Sequence, residues 1–219
     1  MEYVVFKSKP RQTPFAPEWN YFVCHANLEN IDFDKIAKII LIKEKEILKT
    51  TKSISESAFY TELGANSLTS RSGLYNVFDW VEEPEIVKLK QAIFDKYTLM
   101  MQELKLYQPK TWIQCWANVL RKDQEIKMHL HSVHEWSYLS GHVTIQCADT
   151  STVYVNPINP INDPEIYDAK NKSGNLSFFF SNMPHYTTKH KSDEERITIA
   201  FDLQINEPES KNKNIIVFE

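Results

Sequence analysis

Residues Met128-His129-Leu130-His131-Ser132-Val133-His134-Glu135 bring three imidazoles and a carboxylate into one short stretch. Side chains two apart on an extended strand face the same side, so His129 and His131 would present their rings together. Two neutral imidazoles in this relation are a beginning for Fe, Zn, Cu or Ni, and a third ligand must come from elsewhere. The plain alternative is a pair of polar side chains on the solvated face of an edge strand. A second stretch, Phe180-Ser181-Asn182-Met183-Pro184-His185, closes an apolar strand, Leu176 to Phe180, that follows a turn at Gly174. A histidine set by a proline at the end of such a strand is well placed to point into a barrel mouth. His190, between Lys189 and Lys191, reads as solvated. The third stretch is Arg196-Ile197-Thr198-Ile199-Ala200-Phe201, where Arg196 and Thr198 share one face and Ile197 and Ile199 the other. An inward guanidinium is an unpaired buried charge unless it holds an anion, and its planar fork suits a carboxylate. On an outer face the same arginine would pair with Glu194 or Glu195 to little effect.

The elements that must position these residues differ between the two halves of the chain. Asp32 or Asp34 caps an expected helix to about Lys49, with Phe33, Ile36, Ile40 and Ile47 on one side. Pro84 opens a second, in which Ile86, Leu89, Ile93, Tyr97, Met100 and Leu104 recur at threes and fours before Pro109. Thr50 to Arg71, rich in Ser, Thr and Glu, reads as loop with short elements. From Lys110 the period becomes two. Strands are expected over Trp112–Val119, Glu125–His131, Tyr138–Cys147, Thr152–Asn156, Asn175–Ser181, Arg196–Ile205 and Asn214–Phe218. Short strands in series without intervening helices predict an antiparallel sandwich or barrel. Pro157–Lys172 breaks the series as a long polar loop, either a cover for the site when substrate binds or a surface insertion with no role.

In order and spacing, the three stretches resemble the Fe(II)- and 2-oxoglutarate-dependent oxygenases. More closely, they are similar to a phage and marine bacterial group of such enzymes with an H-x-H pair. The corresponding pieces are Trp116-Ala117-Asn118-Val119, His129-Leu130-His131, Tyr138-Leu139-Ser140-Gly141, the segment ending at His185 and the strand opening at Arg196, within about Trp112 to Leu203. The resemblance implies a mainly β fold, a double-stranded β-helix of jelly-roll, cupin-like form. Residues 110–219 would form its core and 1–109 a helical N-terminal support, in a single domain. It implies His129, His131 and His185 as metal ligands. Arg196, eleven residues after His185, would grip the distal carboxylate of 2-oxoglutarate, with Thr198 as hydroxyl partner and Asn118 facing the cosubstrate. The implied cofactors are Fe(II), 2-oxoglutarate and O2. The implied reaction is hydroxylation of an unidentified small-molecule or peptide substrate, with decarboxylation of 2-oxoglutarate to succinate.

The chain departs from the usual His-x-Asp/Glu pair by placing His131 second. His134 stands closer to the Ser140-Gly141 pair, as in the H-x-H relatives, and Glu135 would restore a carboxylate; both remain rivals of His131. Alternation favours His129 with His131. Trp136 and Tyr138 wall the pocket or pack in the core, and His142 reads as a core or surface histidine. A cupin-like three-histidine enzyme that ignores 2-oxoglutarate, and a β-sandwich binding or virion protein, are the competing functions. A net charge of -4 and a pI near 6.0 disfavour a protein dominated by non-specific nucleic-acid binding. Three widely spaced cysteines argue against a disulfide framework or zinc ribbon. No apolar run approaches the ~20 residues of a membrane span, and Met1-Glu2-Tyr3 opens no signal segment, so a cytoplasmic protein is expected.

Overall fold

The computed structural model describes residues 1–52, 63–131, 135–162, 164–208 and 214–219. Its ten strands are β1 (Glu2–Lys7), β2 (Asn20–Asn27), β3 (Thr111–Leu120), β4 (Ser137–Gln146), β5 (Ser151–Val155), β6 (Ile166–Lys170), β7 (Asn175–Phe179), β8 (His185–Thr187), β9 (Arg196–Gln204) and β10 (Ile216–Phe218). The helices are α1 (Phe33–Thr50) and α2 (Pro84–Glu103), with short 3-10 turns at Thr69–Arg71 and Val77–Asp79. A major sheet runs in the order β1-β2-β7-β4-β9-β3-β10 and faces a minor sheet, β6-β5-β8. Every pairing within them is antiparallel.

Strict alternation on the central strands divides the major sheet into an apolar back and a polar front. On β9, Ile197, Ile199, Phe201 and Leu203 are buried in the core with Ile113, Cys115, Ala117 and Val119 of β3 and Val143 and Ile145 of β4. Each large aliphatic or aromatic side chain so buried contributes about 1.5–3 kcal/mol. The helices close this back. In α1, Asp32 Oδ1 accepts from the Lys35 amide at 2.9 Å, and Ile36, Ala37, Ile39 and Ile40 turn inward. In α2, Pro84 occupies the first turn, and Ile86, Leu89, Ile93, Tyr97 and Met100 are buried. Gly141 permits the closest approach at the back: a Cβ there would lie 2.6 Å from Phe201 Cε2 and from the Ser177 carbonyl oxygen.

The front carries Gln114, Trp116 and Asn118 of β3 and Arg196, Thr198, Ala200 and Asp202 of β9 into one cavity. Cross-strand register places Asn118 opposite Thr198 on one side, and Thr144 of β4 opposite it on the other. The same register sets Ser140 against Asp202 and His142 against Ala200.

The N-terminal region is less purely helical than expected, because β1 and β2 extend the major sheet, Cys24 of β2 pairing with Phe178 of β7. Glu125–His131 does not form a regular strand. Its only ladder contact among the described residues is the bridge His129–His185, and the Ile126 amide is taken at 2.9 Å by the Thr187 hydroxyl instead. The end of the Pro157–Lys172 stretch is β6, the outer edge of the minor sheet, paired with β5. No described residue of that stretch lines the cavity. Among the described residues, no helix is long and apolar enough to cross a membrane.

Candidate active site

His129 and His185 exchange backbone hydrogen bonds, His129 N–H to the His185 carbonyl at 3.0 Å and the reverse at 3.1 Å. Two residues on, the His131 amide donates to the Ser181 carbonyl at 3.1 Å. This run of bonds lays 129–131 alongside 181–185 and gathers the rings. His185 lies with its centroid 4.3 Å from that of His129 and 5.1 Å from that of His131. One nitrogen from each ring falls within 4.8 Å of the other two.

Their hydrogen bonds fix which nitrogens these are. His129 Nδ1 meets the Lys127 carbonyl at 2.8 Å, and His185 Nδ1 meets the Met183 carbonyl at 3.0 Å. A carbonyl oxygen only accepts, so each Nδ1 carries the hydrogen and each Nε2 keeps its lone pair. His131 Nδ1 is bonded in the same sense to the Asp202 carboxylate. Burial, reinforced by the neighbouring His131, pulls His129 from 6.5 down to about 4. Burial and the same imidazole neighbours hold His185 well below the ordinary histidine range. Near pH 7 both are therefore neutral, the form that binds a metal. Glu135 is exposed and takes no part in this cluster, and His134 lies outside the described residues.

The cavity that the histidines line has a volume of about 490 Å³, and Arg196 lines it too. That guanidinium is 1% exposed and faces no carboxylate within ion-pair distance among the described residues. Its Nε donates to Thr150 Oγ1 at 3.1 Å and its Nη2 to Thr152 Oγ1 at 3.5 Å, while Nη1 has no partner. Burial lowers its pKa from 12.5 to about 10. Among the described residues, His142 Nδ1 on the same cavity is also buried without a partner, as is Thr144 Oγ1, whose residue lies opposite Thr198 but does not line the cavity. Buried polar groups are rarely left so, and two such atoms on residues lining one cavity, Arg196 Nη1 and His142 Nδ1, are what a polar ligand there would engage. Thr198 lines the cavity, as does Asn118, whose Oδ1 accepts from Thr69 Oγ1 at 2.6 Å.

Several sequence expectations change. His142 is a cavity residue, its Nε2 2.8 Å from the Tyr154 hydroxyl and its pKa pushed down to about 3 by burial and then by Arg196. His190 is fully buried, its amide donating to the Gln124 carbonyl at 2.9 Å and its own carbonyl accepting from Asp123. Tyr138 packs toward α2, receiving a hydrogen bond from Tyr97 at 3.2 Å. Trp116, 5.6 Å from His131, is the aromatic that lines the cavity, and Trp136 does not line it. Sequence reasoning missed Asp202, Thr150 and Thr152. Extending the alternation that joined Arg196 to Thr198 by two more steps would have reached Asp202.

Comparison with known proteins bears on the same region. Residues 114–202 match a protein family described as "Putative 2OG-Fe(II) oxygenase". No curated protein matches the chain. Among solved structures, a prolyl hydroxylase from Trichoplax adhaerens, in complex with a hypoxia inducible factor peptide fragment, is 11% identical with a TM-score of 0.55, covering 84% of this chain and 83% of its own. The viral collagen prolyl hydroxylase of Paramecium Bursaria Chlorella virus-1, solved as a 2OG complex, is 12% identical with a TM-score of 0.51, covering 84% of this chain and 96% of its own. At such identities the likeness shows the fold, a double-stranded β-helix. The chain spans 48% of the length of a 2OG-Fe(II) oxygenase family oxidoreductase from Burkholderia pseudomallei, at 19% identity, 46% coverage of this chain and a TM-score of 0.39.

Proposed function

We propose that this chain, whose residues 114–202 match the 2OG-Fe(II) oxygenase family model, is such an oxygenase, holding Fe(II) on His129, His131 and His185 and binding 2-oxoglutarate against Arg196 to hydroxylate a small-molecule or peptide substrate. The observation that carries the reading is the buried Arg196, without an ion-pair partner among the described residues, lining the same cavity as the three clustered imidazoles. The donor set suits the metal: three Nε2 atoms on one side of a cavity leave other positions open for cosubstrate and O2. When bound, Fe(II) with 2-oxoglutarate and O2 supplies the oxidising chemistry, releasing succinate and CO2.

The chain's own residues bind and orient. Arg196 takes the distal carboxylate, with the unused Nη1 as a donor and with Thr150 and Thr152 fixing the guanidinium plane. Thr198 offers a hydroxyl beside it. His142 Nε2 shares a hydrogen bond with the Tyr154 hydroxyl; in the tautomer in which that hydroxyl donates, Nδ1 carries the ring hydrogen and gives the anion another donor. Asn118 is oriented toward the cosubstrate by Thr69. Trp116, Ile126, Met128 and Leu130 line the rest, keeping water from the reacting centre and meeting the substrate with apolar surface. We read the cytoplasm as its compartment, and a net charge of -4 gives no indication of a nucleic-acid partner.

The test is cosubstrate turnover. Iron-dependent conversion of 2-oxoglutarate to succinate is expected even without the true substrate, and is lost in Arg196→Ala and His185→Ala. The absence of a carboxylate among the gathered ligands favours one second reading, a three-histidine cupin-like enzyme that does not use 2-oxoglutarate. Stoichiometric metal binding with no 2-oxoglutarate consumption would decide for it.

A further inference from the structure

The three histidines are not held alike. His129 and His185 each pass their Nδ1 hydrogen to a neutral backbone carbonyl two residues earlier in the chain. His131 passes its hydrogen to a carboxylate, Asp202, the one acidic side chain lining the cavity among the described residues. That carboxylate is itself held. Asp202 Oδ1 accepts from Ser140 Oγ at 2.6 Å, and Ser140 Oγ lies 2.8 Å from Ser181 Oγ. Because Ser140 spends its only hydrogen on Asp202, Ser181 is the donor in the second bond. The Ser181 carbonyl accepts the His131 amide, which closes a ring of hydrogen bonds through His131, Asp202, Ser140 and Ser181. Four separate pieces of the fold enter this ring: the segment ending at His131, β9, β4 and the turn before β8.

We infer that Asp202 is the anion of the metal site, acting through the His131 ring as a positioning residue in place of a carboxylate ligand. The inference rests on the three-histidine reading of the site and deepens it. Three neutral imidazoles alone would leave a divalent ion's charge uncompensated by the protein. A carboxylate on the far nitrogen of one imidazole fixes its tautomer and orientation and makes it a stronger donor. The H-x-H pair thus moves the negative charge outward by one residue rather than removing it. The alternation on β9 makes this possible, since Arg196, Thr198, Ala200 and Asp202 share the front, and Asp202 is the member nearest His131.

The experiment is a metal titration of the full chain with Co(II) alone, by competition with a chelating dye and by visible absorption, in the absence of 2-oxoglutarate and O2. Wild type should bind one ion per chain and His185→Ala none; if wild type does not, the three-histidine reading itself fails. In Asp202→Asn, the amide oxygen still accepts from His131 and Ser140, so the shape is kept and the charge removed. Weakening of about 10–100-fold is expected, with a shifted Co(II) band and an unchanged far-UV spectrum. Asp202→Glu, which retains the charge, should recover most of the affinity. Ser140→Ala, which loosens the carboxylate without neutralising it, should weaken binding less than Asp202→Asn and leave the band nearer that of wild type. Wild-type affinity and band in Asp202→Asn, with wild type binding stoichiometrically, would overturn the inference. Should Asp202→Asn fail to fold, Ser140→Ala decides: measurable weakening supports the inference and wild-type affinity overturns it.

Discussion

Replacing Arg196 by methionine should stabilise the empty protein while abolishing its response to 2-oxoglutarate. Burial lowers the guanidinium from 12.5 to about 10. At about 1.4 kcal/mol per pH unit, keeping it charged in the fold costs on the order of 3 kcal/mol. The sign follows from linkage: the folded pKa lies below the unfolded one, so this penalty is in force at every pH below about 10 and fades only above it. Against it stand the bonds to Thr150 and Thr152, worth about 1 kcal/mol each. Methionine keeps much of the apolar stem's packing. The balance is a gain of about 1 kcal/mol, or ~2–4 °C in thermal midpoint for a chain of this size. Wild type should gain about 2.7 kcal/mol more when 2-oxoglutarate, with a redox-inert metal, reaches about 100 times its Kd. The variant loses one partner of a buried charge pair, about 2–5 kcal/mol, which weakens Kd by ~30-fold to several thousand-fold and removes the ligand-induced shift. Thermal melts with and without 2-oxoglutarate measure both quantities. A variant less stable than wild type by more than about 2 kcal/mol, yet still stabilised by 2-oxoglutarate, would refute the reasoning and make Arg196 a structural residue.

Gly141→Ala should lower stability by about 1–3 kcal/mol, since the new methyl meets Phe201 and the Ser177 carbonyl; an unchanged urea midpoint would reject that close approach. His142, held near pKa 3 when folded against 6.5 when free, leaves the unfolded chain binding one more proton between those values. Its contribution to stability therefore falls as pH drops through 6.5, by about 1.4 kcal/mol per unit, and His142→Gln should flatten urea midpoints measured between pH 4.5 and 7.5; equal slopes would count against it. Asn118→Ala strands the buried Thr69 hydroxyl and should cost about 1–3 kcal/mol together with weaker 2-oxoglutarate binding, both read from the same melts. A loss of stability with an unchanged 2-oxoglutarate response would limit Asn118 to a structural role.

The elements that sequence makes legible are those whose own period is long enough to decide their faces. The helices capped at Asp32 and opened by Pro84, and strands β3, β4 and β9, each carry apolar sets of four or more that can pack in one way only. Arg196 and Thr198 could be placed together for the same reason, and the structure brings His129, His131 and His185 into one cluster. What stayed hidden depends on partners far along the chain. β8 is three residues long and exists through its pairing with β5 and with His129. β6, Ile-Tyr-Asp-Ala-Lys, is an edge strand with exposed alternate side chains, so its sequence resembles a loop. Lys189 and Lys191 point to solvent, but the residue between them turns inward, which is why His190 is buried. The Arg196–Thr150 and His131–Asp202 bonds join separate strands and loops, and no local pattern announces them.

The central claim is that three histidines and Arg196 form one Fe(II) and 2-oxoglutarate site, and anaerobic titration of the protein with both tests it most directly. The account predicts a weak visible charge-transfer band that needs both components and saturates at one iron per chain. The band should be absent in His185→Ala and should require far more 2-oxoglutarate in Arg196→Met. A wild-type protein that yields no band, or a band equally strong in both variants, would contradict it.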